Sequence, residues 1–198
     1  MTTLFLLFLL IGQASANQPE ESLMWKTSAT MTAVLIVMTN PMKADRVSME
    51  TGGGEHVYVT RVGAEWDWKD DLMKVFGWKL STHWQLDFSK WQSERDSSQD
   101  GANVTLGLTP TFRFTGNKGD VQPYFDVGVG VYLFSVSHLD DHEFGSNFQF
   151  SDRFGVGVNM GARNQWGLGY KFQHYSNGSV RVPNPGINFH LLTLSYKY

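Results

Sequence analysis

From residue 45 to the C-terminus, apolar and polar residues alternate with a period of two, the spacing of β-strands. Over positions 104–114, Val104, Leu106, Leu108, Phe112 and Phe114 fall on one face and Thr105, Thr109, Thr111 and Arg113 on the other. Val127, Val129, Val131 and Leu133 alternate in the same way with Asp126, Gly128, Gly130 and Tyr132. Trp166, Leu168, Tyr170 and Phe172 alternate with Gly167, Gly169, Lys171 and Gln173. The pattern predicts eight strands, over 45–51, 55–67, 72–92, 102–115, 121–136, 147–161, 164–176 and 187–198.

A water-soluble sandwich would alternate too, with its apolar face inward. Here the polar face carries charges of both signs with glycines between them: Arg61, Glu65, Asp67, Lys79, Asp87, Arg113, Asp126, Arg153 and Lys171. The apolar face carries aromatics at strand ends, as interfacial girdles do. Most segments supply the roughly 9–11 residues that a strand needs to cross a bilayer. The expectation is therefore all-β, an eight-stranded antiparallel up-and-down transmembrane β-barrel. A barrel of this size fills its interior with side chains and leaves no open pore. Short connections are expected near 68–71, 116–120 and 161–163, and a tight one at Gly52-Gly53-Gly54. Longer polar loops, expected outside the cell, occupy 93–101, 137–146 and 177–186.

Before the alternation begins, two apolar runs, 4–11 and 33–38, resemble export signals. Ala14-Ser15-Ala16 follows the first. Met24-Trp25-Lys26 opens the second, and Asn40-Pro41 and Ala44 close it. Residues 1–44 are thus expected to be an export segment (a signal peptide), with Met1 and Met24 both open as its start, and 45–198 the barrel. Neither run is long enough for a transmembrane helix.

Composition narrows the function. Without cysteine there is neither a disulfide framework nor a thiolate metal site. The 16 Lys+Arg against 19 Asp+Glu give no electrostatic case for nucleic acid. The aromatic content of 14%, with 7 Trp and 14 Phe, argues against disorder.

His174 and Ser176 share the parity of Trp166, Leu168, Tyr170 and Phe172, so they face lipid at the outer end of the seventh strand. Polar groups on a lipid face are expensive and mark function. Asn188 shares the outward parity of Leu192 and Leu194 across the hairpin. A serine becomes a nucleophile beside a base, and a third group must orient that base. Taken alone, His-x-Ser equally describes an interfacial histidine beside a loop-edge serine. His83 falls in the lumen, and His138, Asp140, Asp141, His142 and Glu143 read as a solvated loop, not a metal site.

The block Gln173-His174-Tyr175-Ser176-Asn177-Gly178 is followed by Pro183-Asn184-Pro185-Gly186-Ile187-Asn188. With Trp66-Asp67-Trp68, 123–131 and 150–155, it resembles the PagL family of outer-membrane lipid A 3-O-deacylases along the whole of 45–198. The resemblance implies an integral protein of the Gram-negative outer membrane among membrane lipids, a lipid A (lipopolysaccharide) substrate in the outer leaflet, no cofactor, and a homodimer as an available state. It implies a serine esterase with Ser176 as nucleophile, His174 as base, and Asn184 with the backbone around Asn177 as the oxyanion hole. The family carries an acidic residue, usually Glu, where this chain has Asn188. Asp152, outward at the end of the sixth strand, is the alternative acid. Two rivals remain: a non-catalytic structural or adhesive barrel, and a palmitoyltransferase-like barrel, which the charged interior disfavours.

Overall fold

The alternation in sequence becomes an alternation of burial. Along β9 (Trp166–Ser176), Gly167, Gly169, Lys171, Gln173 and Tyr175 are buried, while the residues between them are exposed or half-buried. The computed structural model describes residues 39–95, 101–116 and 119–198. The export segment expected at 1–44 falls almost wholly on positions 1–38, outside the described residues.

The unit that begins at Lys43 is a closed antiparallel barrel. Its strands are β1 (Arg46–Gly54), β2 (Val57–Val75), β3 (Trp78–Ser93), β4 (Ala102–Thr115), β5 (Val121–Phe134), β8 (Phe148–Met160), β9 and β10 (Ile187–Lys197). Around the cylinder the order is β1-β10-β9-β8-β5-β4-β3-β2, so sequential strands are neighbours and the ends meet through β1 and β10. The 135–147 loop carries a small hairpin of its own, β6 (His138–Leu139) with β7 (His142–Glu143). Closure satisfies every strand edge within the sheet, the condition for β structure in hydrocarbon.

Two expected connections lie elsewhere. Gly52-Gly53-Gly54, expected as a tight connection, are paired residues of β1, and the chain turns after them at Glu55 and His56, both at positive φ (54° and 65°). Backbone 68–71, expected as a short connection, is part of β2, with register shifts between Asp67 and Lys69 and between Lys69 and Met73. The chain turns instead at Phe76 and Gly77, both at positive φ (50° and 83°). A two-residue hairpin requires such a pair of left-handed residues.

The lumen has two layers. In the first, buried ions hold one another. Arg113 grips Asp126 through two contacts of 2.7 Å. Glu65 lies 3.2 Å from Arg46, 3.5 Å from Arg113 and 3.5 Å from His83. Glu50 receives Arg61 at 2.9 Å and also Lys171. Asp87 accepts Tyr132 at 2.7 Å and lies 3.4 Å from Arg153. Above them sits an aromatic layer centred on Trp91, which meets Phe134, Tyr175 and Phe189 edge-on at centroid distances of 4.7, 4.9 and 4.7 Å. The outward face is apolar, with Val129, Val131, Leu168, Leu192 and Leu194 exposed. At the end that holds the chain terminus, Trp68 stacks on Trp84 and Trp166 packs against Tyr196.

Candidate active site

The opposite end gathers the β1–β2 turn, the 135–147 loop and the 177–186 loop around the ends of β9 and β10. Tyr175 on β9 and Phe189 on β10 point inward and are fully buried against Trp91. Their neighbours His174, Ser176 and Asn188 take the opposite face and are half-buried. The aromatic layer thus forms a stiff backing for the outward side chains.

The register sets a row across three strands. Asp152 on β8 is opposite His174 on β9, and His174 is opposite Asn188 on β10. His174 therefore has one sequence-predicted partner on each side, and its hydrogen bond goes to Asn188, Nδ1 to Oδ1 at 2.8 Å. Asp152 is exposed and makes no hydrogen bond or ion pair among the described residues. Ser176, two residues along β9, emerges beside His174 and is opposite Phe150 of β8.

The 177–186 loop arches over this row and is held by amides. The buried Asn177 donates Nδ2 to the carbonyls of Phe144 (2.8 Å) and Arg181 (2.9 Å). Its backbone N–H donates to Asn184 Oδ1 at 2.8 Å. That N–H is therefore engaged. Among the described residues, the Nδ2 of Asn184 bonds only Ser179 Oγ, at a long 3.4 Å, and is the more available donor of the two. Asn177 accordingly fixes the loop that carries Asn184.

Two residues of the site were given no role in the sequence reading: Gly186, although it stands in the Pro-Asn-Pro-Gly block, and Glu55, which stands in no motif. Gly186, at φ +68°, lies against the imidazole: a Cβ there would stand 2.7 Å from His174 Cε1 and 3.3 Å from Nε2. Glu55, in the β1–β2 turn, accepts the Asn188 backbone N–H at 2.9 Å and its Nδ2 at 3.1 Å through Oε1. Its Oε2 meets His142 Nε2 at 3.1 Å. Partial burial raises the Glu55 carboxyl, yet the hydrogen bonds from His142 and Asn188 outweigh it and hold its pKa below the usual glutamate value. His142, read from sequence as part of a solvated loop, is thus tied to the site and stacks on Phe144. Proximity created by barrel closure is the only link between Glu55 and Asn188, and no local motif announces it.

Comparison with known proteins agrees with this architecture. The family described as Lipid A 3-O-deacylase (PagL) matches residues 58–197. A relative from Pseudomonas aeruginosa, named Lipid A deacylase PagL, is 27% identical over 165 residues, covering 83% of this chain and 92% of the relative. Another of the same name, from Bordetella bronchiseptica, is 31% identical over 156 residues, covering 77% and 83%. The crystal structure of the outer membrane enzyme PagL superposes with a TM-score of 0.70 at 26% identity, over 77% of this chain and 99% of that one. With the matched region spanning β2 to the end of β10, this chain belongs to the PagL family of lipid A 3-O-deacylases.

Proposed function

We propose that this outer-membrane barrel removes the 3-linked acyl chain of lipid A as a serine esterase, on substrate that reaches it sideways from the outer leaflet. The reading is carried by one observation: on the lipid-facing side of β9, His174 gives its Nδ1 to Asn188 while Ser176 stands two residues away on the same face.

The chemistry follows from tautomers. An imidazole that donates Nδ1–H to an amide oxygen keeps its lone pair on Nε2. Nε2 takes the Ser176 proton as Oγ attacks the ester carbonyl. The proton then passes to the sugar oxygen as the alkoxide leaves, and water releases the fatty acid from the acyl-serine by the same steps in reverse roles. Asn184 Nδ2, aided by the loop that Asn177 fixes, stabilises the tetrahedral oxyanion, a contribution on the order of 3 kcal/mol for one such donor. Phe148 and Phe150, in edge contact at 5.2 Å and exposed on β8 beside Ser176, offer the acyl chain an apolar path. The membrane itself supplies the water-poor surroundings in which these dipoles act strongly.

Mass spectrometry of lipid A after incubation with the wild type, Ser176→Ala and His174→Ala tests this. The expected result is loss of the 3-linked chain with the wild type alone, with Asp152→Ala still active. A folded Ser176→Ala protein that deacylates at the wild-type rate overturns the reading.

A further inference from the structure

We propose that Glu55 supplies the carboxylate of the site, acting on His174 through the Asn188 amide as a positioning residue. This rests on the reading of His174 as base and Ser176 as nucleophile.

The argument begins with register. β1 and β10 pair as far as Gly53 opposite His190, and that register carried on for two residues sets Glu55 beside Asn188. Glu55 has already left the strand there, at φ +54°, and its side chain takes over the Asn188 N–H that no strand partner reaches. The row therefore runs Glu55, Asn188, His174 across β1, β10 and β9.

Donor and acceptor chemistry then fixes each member in turn. An ionised carboxylate only accepts, so the Asn188 edge facing Glu55 must be its NH2. Its Oδ1 is thereby turned to His174, and an acceptor at that position requires hydrogen on Nδ1. The free lone pair is left on Nε2. Without Glu55 the amide can rotate by half a turn at little cost and present NH2 to the imidazole, which would select the opposite tautomer. A buried neutral amide alone cannot hold that choice. A carboxylate behind it can, and its charge also favours the imidazolium formed during the reaction. Glu55 lies before the matched region 58–197, so it supplies from another hairpin the charge that Asn188 lacks.

Among the described residues, four titratable groups neighbour this row. His142 approaches Glu55 from the β6–β7 hairpin, and Asp152 flanks His174 in register from β8. His190 lies outward on β10 two residues from Asn188 and bonds Tyr170 Oη, and His56 lies 3.7 Å from Glu94.

The test measures kcat, KM and pH dependence for Glu55→Gln, Asn188→Glu and the double variant, with Ser176→Ala as control and circular dichroism to confirm each barrel. Glu55→Gln is expected to lower kcat about 10- to 100-fold, the scale for carboxylates that orient a histidine from behind. KM should hold within about twofold, since no ground-state contact to substrate is lost. The acid limb of kcat/KM, which reports the base in the free enzyme, should move to lower pH. Asn188→Glu delivers a carboxylate to His174 directly, so adding Glu55→Gln to it should change kcat by no more than about twofold. Wild-type kcat in Glu55→Gln, an unmoved acid limb, or the same loss in both backgrounds overturns the proposal. Should Asn188→Glu itself be inactive, the acid limb of Glu55→Gln decides. Activity in Ser176→Ala would instead remove the serine-esterase reading on which the proposal stands.

Discussion

Strands β9 and β10 present two kinds of polar chemistry, one on each face. Inward, Lys171 and Gln173 join a lattice in which Glu50 holds two cations and Glu65 lies within 3.5 Å of three basic groups. Outward, His174, Asn188 and Glu55 form a single file that ends at a half-exposed carboxylate and His142. The lattice is buried and multiply connected, so removing one member strands a charge. The file is exposed at one end and linked in series, so removing a member disorders its neighbour but leaves no ion isolated. On the proposed reading, strand parity separates what holds the barrel together from what would act on lipid, at positions one residue apart.

The largest effect should come from the lattice. Asp126→Ala leaves Arg113 buried without its bidentate partner and should destabilise the barrel by about 3–5 kcal/mol in urea unfolding from lipid vesicles. Replacing both by apolar residues of similar volume should recover most of that loss, because no charge is then stranded. Next is Asn188→Ala, which removes the acceptor of His174 Nδ1: kcat should fall on the order of 100-fold, the scale of lost histidine orientation. Unfolding should shift by less than about 1 kcal/mol, since the site is half-exposed. If Asn188→Ala instead unfolds the barrel, the division between the two faces fails.

Gly186→Ala should act more mildly. The methyl group would press the His174 ring aside, and the left-handed backbone already present at 186 costs an alanine about 1–2 kcal/mol. Activity should drop about tenfold through misplacement of Nε2. The smallest effect concerns acid. The folded pKa of Glu55 is depressed, so its contribution is present above the unfolded value near about 4.3 and is lost as pH falls through the lower folded value. With 40% of its side chain exposed, water screens the interaction, and the change should stay under about 0.5 kcal/mol. Comparing unfolding of the wild type and Glu55→Gln between neutral and strongly acidic pH would reveal it as a small difference that vanishes at the acid end.

Much of the barrel was legible because period-two alternation is a strong signal when one face meets lipid. The eight strands and the inward parity of Arg61, Arg113, Asp126, Arg153 and Lys171 all follow from it. The 68–71 and 52–54 expectations failed because alternation alone does not locate a hairpin: the chain turns where its backbone is left-handed, at Phe76 and Gly77 and at Glu55 and His56. In the site, the outward row of His174 and Asn188 could be read from parity within adjacent strands. Glu55 and His142 could not. They reach the row from the β1–β2 turn and the β6–β7 hairpin, and Glu55 is separated from Asn188 by 133 residues of sequence. Barrel closure through β1 and β10 brings these two together. The choice between Asn188 and Asp152 was equally closed to the sequence, since both sit in register with His174 and only the hydrogen bond between His174 Nδ1 and Asn188 Oδ1 separates them.

The central claim, that Ser176 is a nucleophile activated by His174 on the lipid-facing wall, is tested most directly by covalent capture. Active protein in detergent would be treated with an alkyl fluorophosphonate and its intact mass and labelled peptide determined. A single adduct on Ser176 in the wild type, with none in His174→Ala, is the predicted result. A wild type that retains deacylase activity without labelling, or a His174→Ala protein labelled on Ser176 at the wild-type rate, would contradict it.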